Sequence, residues 1–140
     1  MKLFDTHAHY NDNAFDRDRE ALLDALPDAG VGAVVIPGVD VESARSALAL
    51  AESRPWLFAA AGLHPEDCAG CTDRDFDAVR DLCGHEKVVA IGEIGLDYYW
   101  AENPPKEFQQ MVFRRQLKLA LELDLPVIIH DREAHGDSLE

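Results

Sequence analysis

The chain has 140 residues, of which 47% are hydrophobic and 29% are charged, and these values are typical of a single globular domain. Its formal net charge of −14 argues against a protein that coats nucleic acid passively, because such proteins carry a basic patch. An acidic protein can still act on nucleic acid through bound divalent cations, since the cations supply the positive charge locally.

The sequence also indicates the cellular compartment in which the protein is expected. No apolar run approaches the roughly 20 residues that span a bilayer, and the N-terminal residues lack the regions of a signal peptide. We therefore expect a cytoplasmic protein with no membrane partner. The three cysteines are an odd number, which argues against a disulfide framework and fits reduced thiols.

Short apolar runs alternate with longer amphipathic runs along the chain. The apolar runs predict strands covered on both faces, at residues 2–6, 33–37, 57–61, 88–91 and 126–129. The amphipathic runs predict helices at residues 16–29, 41–54, 73–83 and 104–123. This alternation indicates right-handed βαβ units and a parallel sheet, within one domain of residues 1–140.

Two of the predicted helices begin with a recognisable capping residue. Asp40 precedes the second helix, and Asn103 precedes the fourth, where Pro104 and Pro105 fit the first turn. Both asparagine and aspartate accept hydrogen bonds from the free N–H groups of a helix start. We therefore expect both side chains to cap their helices.

Residues with metal-binding or catalytic chemistry follow the predicted strands. His7 and His9 come after the first strand, His64 after the third and Glu93 after the fourth, and His130 ends the fifth. Because the carboxyl ends of parallel strands open onto one face of the sheet, these five side chains are expected to converge.

The spacing of His7 and His9 predicts that both side chains point to the same side of the chain. They are candidates for a chelating pair, although two polar residues at a strand end would show the same spacing. Asp5 has the same parity and could orient one of the imidazoles. His130, taken alone, favours a hydrogen-bonded histidine at a strand end over a metal ligand.

Glu93 is the strongest single candidate. It follows the apolar run "VVAIG" and lies between Gly92 and Gly95, at the edge of a predicted core. An unpaired charge is costly there, and a bound metal ion would remove the cost. Glu93 is therefore predicted to be a metal ligand.

The segments "FDTHAH", "VVIPG", "GLHPE", "GEIGLDYY" and "PVIIHDREAHGD" carry a resemblance that covers the whole chain. In their order and spacing they resemble the TatD family of metal-dependent deoxyribonucleases, which are amidohydrolase-like TIM barrels. The resemblance implies an α/β fold, a TIM (β/α)8 barrel, here truncated to about five strands and four helices. Strands six to eight, with a histidine and an aspartate of the family's metal centre, are expected to be absent.

The resemblance also implies a centre of two divalent metal ions, Mg, Mn or Zn. His7 and His9 are similar to the ligands of one ion, and His130 to a ligand of the other. Glu93 corresponds to the catalytic carboxylate that bridges both ions. A mixed set of imidazoles and carboxylates suits zinc or manganese, whereas magnesium prefers oxygen ligands.

The same resemblance implies the substrate contacts and the reaction. His64 and Arg132 are similar to phosphate-binding residues, and Tyr98 is a weaker candidate for the wall of the pocket. The implied reaction is hydrolysis of DNA or another phosphodiester by a water that two metal ions activate. The 140-residue fragment alone is expected to be inactive and to self-associate through unpaired strand edges.

Three alternatives stay open from the residues. The chain could be another amidohydrolase, acting on cyclic amides or phosphoesters, but Glu93 stands where many of those enzymes carry a modified lysine, and Lys87 precedes the strand. It could be a non-catalytic, self-associating barrel fragment. A zinc or redox site is also possible, at Cys68, Cys71, Cys83 and His85.

Overall fold

The fold is described from a computed structural model, which describes residues 2–140. Five parallel strands form one sheet in which neighbours in the chain are neighbours in space. They are β1 (Leu3–Asp5), β2 (Val31–Pro37), β3 (Leu57–Ala61), β4 (Val88–Asp97) and β5 (Val127–Arg132). The predicted parallel sheet is confirmed, and β3 has the predicted bounds.

Five helices accompany the strands. They are α1 (Arg19–Ala25), α2 (Val41–Glu52), α3 (Asp73–Leu82), α4 (Lys106–Leu123) and the short α5 (His135–Ser138). None of the helices in residues 2–140 combines the length and the apolar character needed to cross a membrane.

The fourth and fifth strands continue beyond their predicted ends, so that Glu93 and His130 lie inside strands and not after them. The glycines of β4 explain the difference. A Cβ on Gly92 would lie 2.6 Å from the Ile128 Cβ, and one on Gly95, where φ is +146°, would lie 1.9 Å from the His130 carbonyl oxygen. These glycines permit close approach of β4 to β5, so the strand continues past the predicted end at residue 91.

The first predicted helix is also different. Residues 16–29 do not form one helix, because a 3₁₀ turn at Asn13–Phe15 precedes α1, which ends at Ala25. Pro27 lies inside the predicted range, and proline has no main-chain N–H with which to continue the helical hydrogen bonds. The Arg19 side chain donates hydrogen bonds to the carbonyl oxygens of Tyr10 at 2.6 Å and Asp12 at 2.8 Å, which fixes this connection.

The two predicted helix caps have opposite outcomes. Asp40 caps α2 as predicted, because its carboxylate accepts the Ser43 N–H at 2.7 Å. The prediction for Asn103 is wrong. Its side chain instead donates to the Asp97 carbonyl at 3.2 Å and to the Asp97 carboxylate at 3.0 Å.

The main core lies between the sheet and the helices and includes Val34, Ile36, Ile91 and Ile94. A smaller cluster, Val35, Ala60 and Ala90, occupies the other face of the sheet. Alternate residues of β2 thus belong to different clusters, as strand geometry requires, so both faces of the sheet carry apolar side chains.

Two buried glutamines of α4 fix the backbone beside predicted site residues. The Gln116 amide accepts the Leu63 N–H at 2.8 Å and donates to the Leu63 carbonyl at 3.0 Å, next to His64. Gln109 makes the equivalent pair with Asp97, at 2.8 and 2.9 Å. A packed helix therefore positions the loop after β3 and the end of β4.

Candidate metal centre

The structure brings the five predicted residues of the strand ends together. Glu93 is 6% exposed, and imidazole nitrogens approach both of its carboxylate oxygens. Oε2 lies 3.1 Å from His7 Nε2 and 3.4 Å from His9 Nε2. Oε1 lies 3.2 Å from His130 Nδ1 and 3.8 Å from His64 Nε2. The two oxygens therefore face two different pairs of histidines.

The β1 side of Glu93 consists of His7 and His9. Their Nε2 atoms are 3.1 Å apart, and the two side chains are 38% and 37% exposed. The prediction that Asp5 orients an imidazole is wrong, because its carboxylate accepts the main-chain N–H of His7 at 3.1 Å. Two facing imidazole nitrogens beside a carboxylate require a shared proton or a cation, which is the donor arrangement of a metal site.

The β5 side contains a residue that the sequence analysis missed. His130 Nε2 lies 2.8 Å from the Asp97 Oδ2, and Asp97 is completely buried. Asp97 and Glu93 lie four residues apart in β4, so strand alternation alone places both on one side of the strand. That parity was the available signal for Asp97.

Glu66 was missed as well. It follows His64 by two residues, and one of its carboxylate oxygens lies near Asp97 and His130. Burial, followed by a hydrogen bond with Asp97, raises the pKa of the Glu66 carboxyl. Three sets of ligand atoms lie within 4.8 Å of one another: His7, His9 and Glu93; His64, Glu93 and His130; Glu66, Asp97 and His130.

The histidines control the ionisation of Glu93. Burial alone raises the pKa of this carboxyl, but hydrogen bonds with His130 and His9 and electrostatic interactions with His64 and His7 outweigh it, and the pKa lies well below its usual value. The hydrogen bond with Glu93 raises the pKa of both His9 and His130, against the opposing effect of burial. Glu93 is therefore an anion that attracts positive charge on both sides.

His64 differs from the other three histidines because burial lowers its pKa to about 4. The ring is therefore neutral at pH 7. Its Nδ1 accepts the main-chain N–H of Glu66 at 3.2 Å, so the ring proton belongs on Nε2, which faces Glu93. His64 thus presents a hydrogen-bond donor to the centre.

The remaining predicted contacts, Arg132 and Tyr98, lie at the ends of β5 and β4. The Arg132 guanidinium stacks over the rings of Tyr99 at 4.0 Å and Trp100 at 5.1 Å. The Tyr98 hydroxyl donates to Asp137 at 2.7 Å and accepts from Gln110 at 2.9 Å, so it is directed towards α5 and α4. The structure does not bring this hydroxyl to Glu93.

The cysteines do not form a second centre in the described part of the chain. All three are free thiols, and no metal-binding group found in residues 2–140 contains one of them. Burial raises the pKa of Cys68 to about 12 and that of Cys83 to about 11, so both are protonated at neutral pH. His85 lies 3.2 Å from Glu52. These facts argue against the zinc or redox alternative.

A cleft of about 510 Å³ adjoins the centre through His9. Its walls are polar and acidic and come from the loop after β1 and the start of α2: Asn11, Asp12, Asn13, Val39, Asp40, Glu42, Ser43 and Ser46. Of the candidate ligands, His9 thus lines an open cleft through which a large substrate could reach the centre.

Residues 4–140 match the family described as TatD related DNase. The chain belongs to the TatD family. Among its relatives, the uncharacterized metal-dependent hydrolase YabD of Bacillus subtilis is 43% identical over 96% of this chain and 52% of its own length. The protein named 3'-5' ssDNA/RNA exonuclease TatD of Musicola paradisiaca is 37% identical over 96% of this chain and 51% of its own length. This TatD-family chain thus spans about half the length of the curated relatives it matches.

Solved structures agree with the predicted fold. The crystal structure of the TatD homologue YjjV from Escherichia coli is 40% identical, with a TM-score of 0.88 over 97% of this chain and 53% of that chain. A TatD-family hydrolase from Entamoeba histolytica, at 23% identity, has a TM-score of 0.90 over 99% of this chain and 52% of that chain, which supports the fold alone. The predicted truncated TIM barrel is confirmed, with the five parallel strands forming part of the barrel.

Proposed function

We propose that the protein containing this TatD-family chain hydrolyses phosphodiester bonds of DNA with two divalent cations that Glu93 bridges. The observation that carries the proposal is the division of imidazoles between the two oxygens of one buried carboxylate. Oε2 faces His7 and His9, whereas Oε1 faces His130. A carboxylate with separate ligand sets on its two oxygens is suited to bridging a pair of ions.

The residues of the chain fit such ions by charge and by donor type. Glu93 is ionised and His64 is neutral at pH 7, so the Glu93 carboxylate offers a negative charge to a cation and His64 adds no positive charge. Imidazole nitrogens and carboxylate oxygens suit zinc or manganese, and magnesium would need additional oxygen ligands. When bound, two such ions would lower the pKa of a water and stabilise the charge on the phosphate.

Other residues of the chain would bind and orient the phosphodiester. His64 directs an N–H towards the centre and can donate it to a phosphate oxygen without competing as a ligand. Arg132, stacked on Tyr99 and Trp100, would add a fixed positive charge at the same end of the sheet. Bound cations also explain how a chain with a net charge of −14 could approach a polyanion.

The relatives support this substrate class. One relative is named a 3'-5' ssDNA/RNA exonuclease, and others are named metal-dependent hydrolases. The alternative amidohydrolase with a modified bridging lysine is not favoured. Lys87 directly precedes the first residue of β4. Its ammonium donates to the carbonyl oxygens of Arg54, Pro55 and Leu57.

The test is a count of bound ions together with an assay on the natural gene product that contains this chain. We expect calorimetric titration with Mn²⁺ or Zn²⁺ to show two ions per chain, and chelation to abolish cleavage of single-stranded DNA until the ion is restored. Lys87→Gln is a matched control, because it changes a charge far from Glu93. A nuclease that stays active after chelation, or a protein that binds no divalent ion, would contradict the proposal.

A non-catalytic, self-associating role for the 140-residue chain has a separate observation in its favour. The outer strands β1 and β5 expose apolar side chains, with Phe4 61%, Leu3 54% and Ile129 48% exposed. Unpaired strand edges with exposed apolar residues promote association. We propose that the isolated chain forms oligomers, which light scattering would detect, and a monodisperse monomer would contradict this.

A further inference from the structure

The carboxylate of Asp97 is the most completely bonded acidic group near the centre. Asp97 is the last residue of β4 and is 0% exposed. Its Oδ1 accepts the Tyr99 main-chain N–H and the Asn103 side-chain N–H, each at 3.0 Å. Its Oδ2 lies 2.8 Å from His130 Nε2. The group is therefore held by three donors, two from the loop after β4 and one from β5.

The main chain of Asp97 is fixed as well. The buried Gln109 amide accepts the Asp97 N–H at 2.8 Å and donates to the Asp97 carbonyl at 2.9 Å. The side-chain NH₂ group of Gln109 also donates to the Pro104 carbonyl at 2.8 Å. Because both the backbone and Oδ1 are fixed, Oδ2 cannot leave His130 without breaking buried hydrogen bonds.

This arrangement decides which ring nitrogen of His130 carries the proton. An ionised carboxylate only accepts hydrogen bonds, so the nitrogen beside Oδ2 must be N–H. A neutral His130 then has its lone pair on Nδ1, which lies 3.2 Å from Glu93 Oε1. We propose that Asp97 is a positioning residue that holds His130 in the Nε2–H form, so that Nδ1 is the atom that binds the cation shared with Glu93.

This inference rests on the proposed function, and it has one structural competitor. Glu66, Asp97 and His130 Nε2 could themselves surround an ion. Asp97 argues against that arrangement, because its oxygens already accept three N–H groups at 2.8 to 3.0 Å. Glu66 is exposed and supplies the only other ligand of that set. The hydrogen-bonding role accounts for the buried network more fully than an ion at Nε2.

The Asp97→Asn variant should reverse the tautomer. The Asn103 and Tyr99 donors require an acceptor at the Oδ1 position, so the asparagine carbonyl must face them. Its NH₂ group then faces His130 Nε2, which has to become the lone-pair acceptor. The ring proton moves to Nδ1, where it blocks the nitrogen that faces Glu93. The isosteric change at Asp97 thus removes His130 Nδ1 as a ligand atom, although His130 itself is not substituted.

The experiment uses Zn²⁺ as the probe and the natural gene product that contains this chain. Long-range ¹H–¹⁵N NMR spectra of the histidine rings report the protonated nitrogen of each ring. In the wild-type protein loaded with Zn²⁺, we expect His130 to be Nε2–H and bound through Nδ1. In metal-free Asp97→Asn at about pH 9, where imidazoles are neutral, we expect Nδ1–H. The Zn²⁺ dissociation constant should rise about 10- to 100-fold.

Asn103→Ala is the matched control, because it removes a donor to Asp97 but keeps the contact between Asp97 and His130. We expect it to keep the Nε2–H form and to change the Zn²⁺ dissociation constant by less than about threefold, below the effect of losing a carboxylate partner. An equal loss in both variants would indicate a general packing role and overturn the inference.

The wild-type spectrum alone keeps the test decisive if Asp97→Asn does not fold. Zn²⁺ on Nε2 would overturn the inference and favour the ion site at Glu66. An Asp97→Asn variant that retains Nε2–H and wild-type affinity would overturn it as well. A wild-type protein that binds no Zn²⁺, Mn²⁺ or Mg²⁺ would contradict the proposed function itself, so the two failures are distinguishable.

Discussion

Glu93 is contacted by imidazoles on two sides, His7 and His9 on the β1 side and His130 on the β5 side, and the two sides differ in exposure and in hydrogen bonding. His7 and His9 follow a three-residue strand at the edge of the sheet, and their side chains are 38% and 37% exposed. His130 lies within β5, its side chain is 20% exposed, and it contacts the buried Asp97. The orientation of the two imidazoles on the β1 side therefore depends on what they bind. On the β5 side, the hydrogen bond with Asp97 already orients the imidazole of His130.

The proposed centre would therefore combine adaptable ligands on the β1 side with an oriented ligand on the β5 side. Two nitrogens 3.1 Å apart on exposed side chains have to rearrange around an ion, and this lowers the affinity of that side. A histidine whose second nitrogen is bound to a buried carboxylate loses little freedom when it binds a metal. We therefore expect the first equivalent of metal to bind on the β5 side.

The largest effect is expected from Glu93→Gln, because this change affects both sides at once. An amide keeps the size of the side chain but neither bridges two cations nor offsets their charge. In the natural gene product we expect loss of both ions and a fall in DNA hydrolysis of at least about 100-fold, more than loss of a residue that only orients a ligand. Elemental analysis and a nuclease assay check this, and normal activity would contradict the two-metal proposal.

The double variant His7→Ala with His9→Ala should separate the two sides. It removes the imidazoles that face Oε2 and leaves the contact of His130 with Oε1. We expect metal content to fall from two ions to one and activity to fall about 10- to 100-fold or more. Calorimetric titration counts the ions. Retention of two ions would show that the β1 side is not a ligand set.

A smaller and different effect is expected from His64→Ala. The Nδ1 of His64 accepts a main-chain N–H, and its Nε2 is the most distant of the four imidazole nitrogens from Glu93, at 3.8 Å. We expect unchanged metal content and a KM for DNA about tenfold higher, as for loss of one hydrogen bond to a charged phosphate. If the variant loses metal, His64 is a ligand and its proposed role is wrong.

The weakest expected effect is a pH dependence of the metal-free protein. His9 and His130 have raised pKa values when folded, so the stability that they contribute is complete below about pH 6.5 and is lost as the pH rises through their folded pKa values. The pKa of Glu93 is lowered, so its contribution is present above about pH 4.5 and is lost as the pH falls.

Urea unfolding at a series of pH values would measure this dependence. We expect the free energy of unfolding of the metal-free protein to fall above about pH 6.5, whereas metal affinity rises with pH because cations compete with protons for the imidazoles. Glu93→Gln should flatten the stability profile. A profile that keeps its slope in Glu93→Gln would show that other groups cause it.

Local sequence patterns are sufficient to predict the strand-helix alternation, the bounds of β3, the Asp40 cap and the convergence of the histidines with Glu93. The reason is that each rests on local information. Apolar runs of strand length specify buried parallel strands, and parallel strands place their carboxyl ends on one face of the sheet. The residues that follow those ends therefore meet, whatever the details of packing.

The extent of β4 and β5 and the groups around His130 depend instead on contacts that appear only in the folded chain. The predicted fourth strand ends before Gly92, and the adjacent β5 residues Ile128 and His130 show that Gly92 and Gly95 allow close approach of the two strands. Asn103 resembles a helix cap, yet the Asp97 carboxylate takes its N–H. In both cases the deciding partner is distant in the chain or competes with a local one, and sequence periodicity carries no information about such contacts.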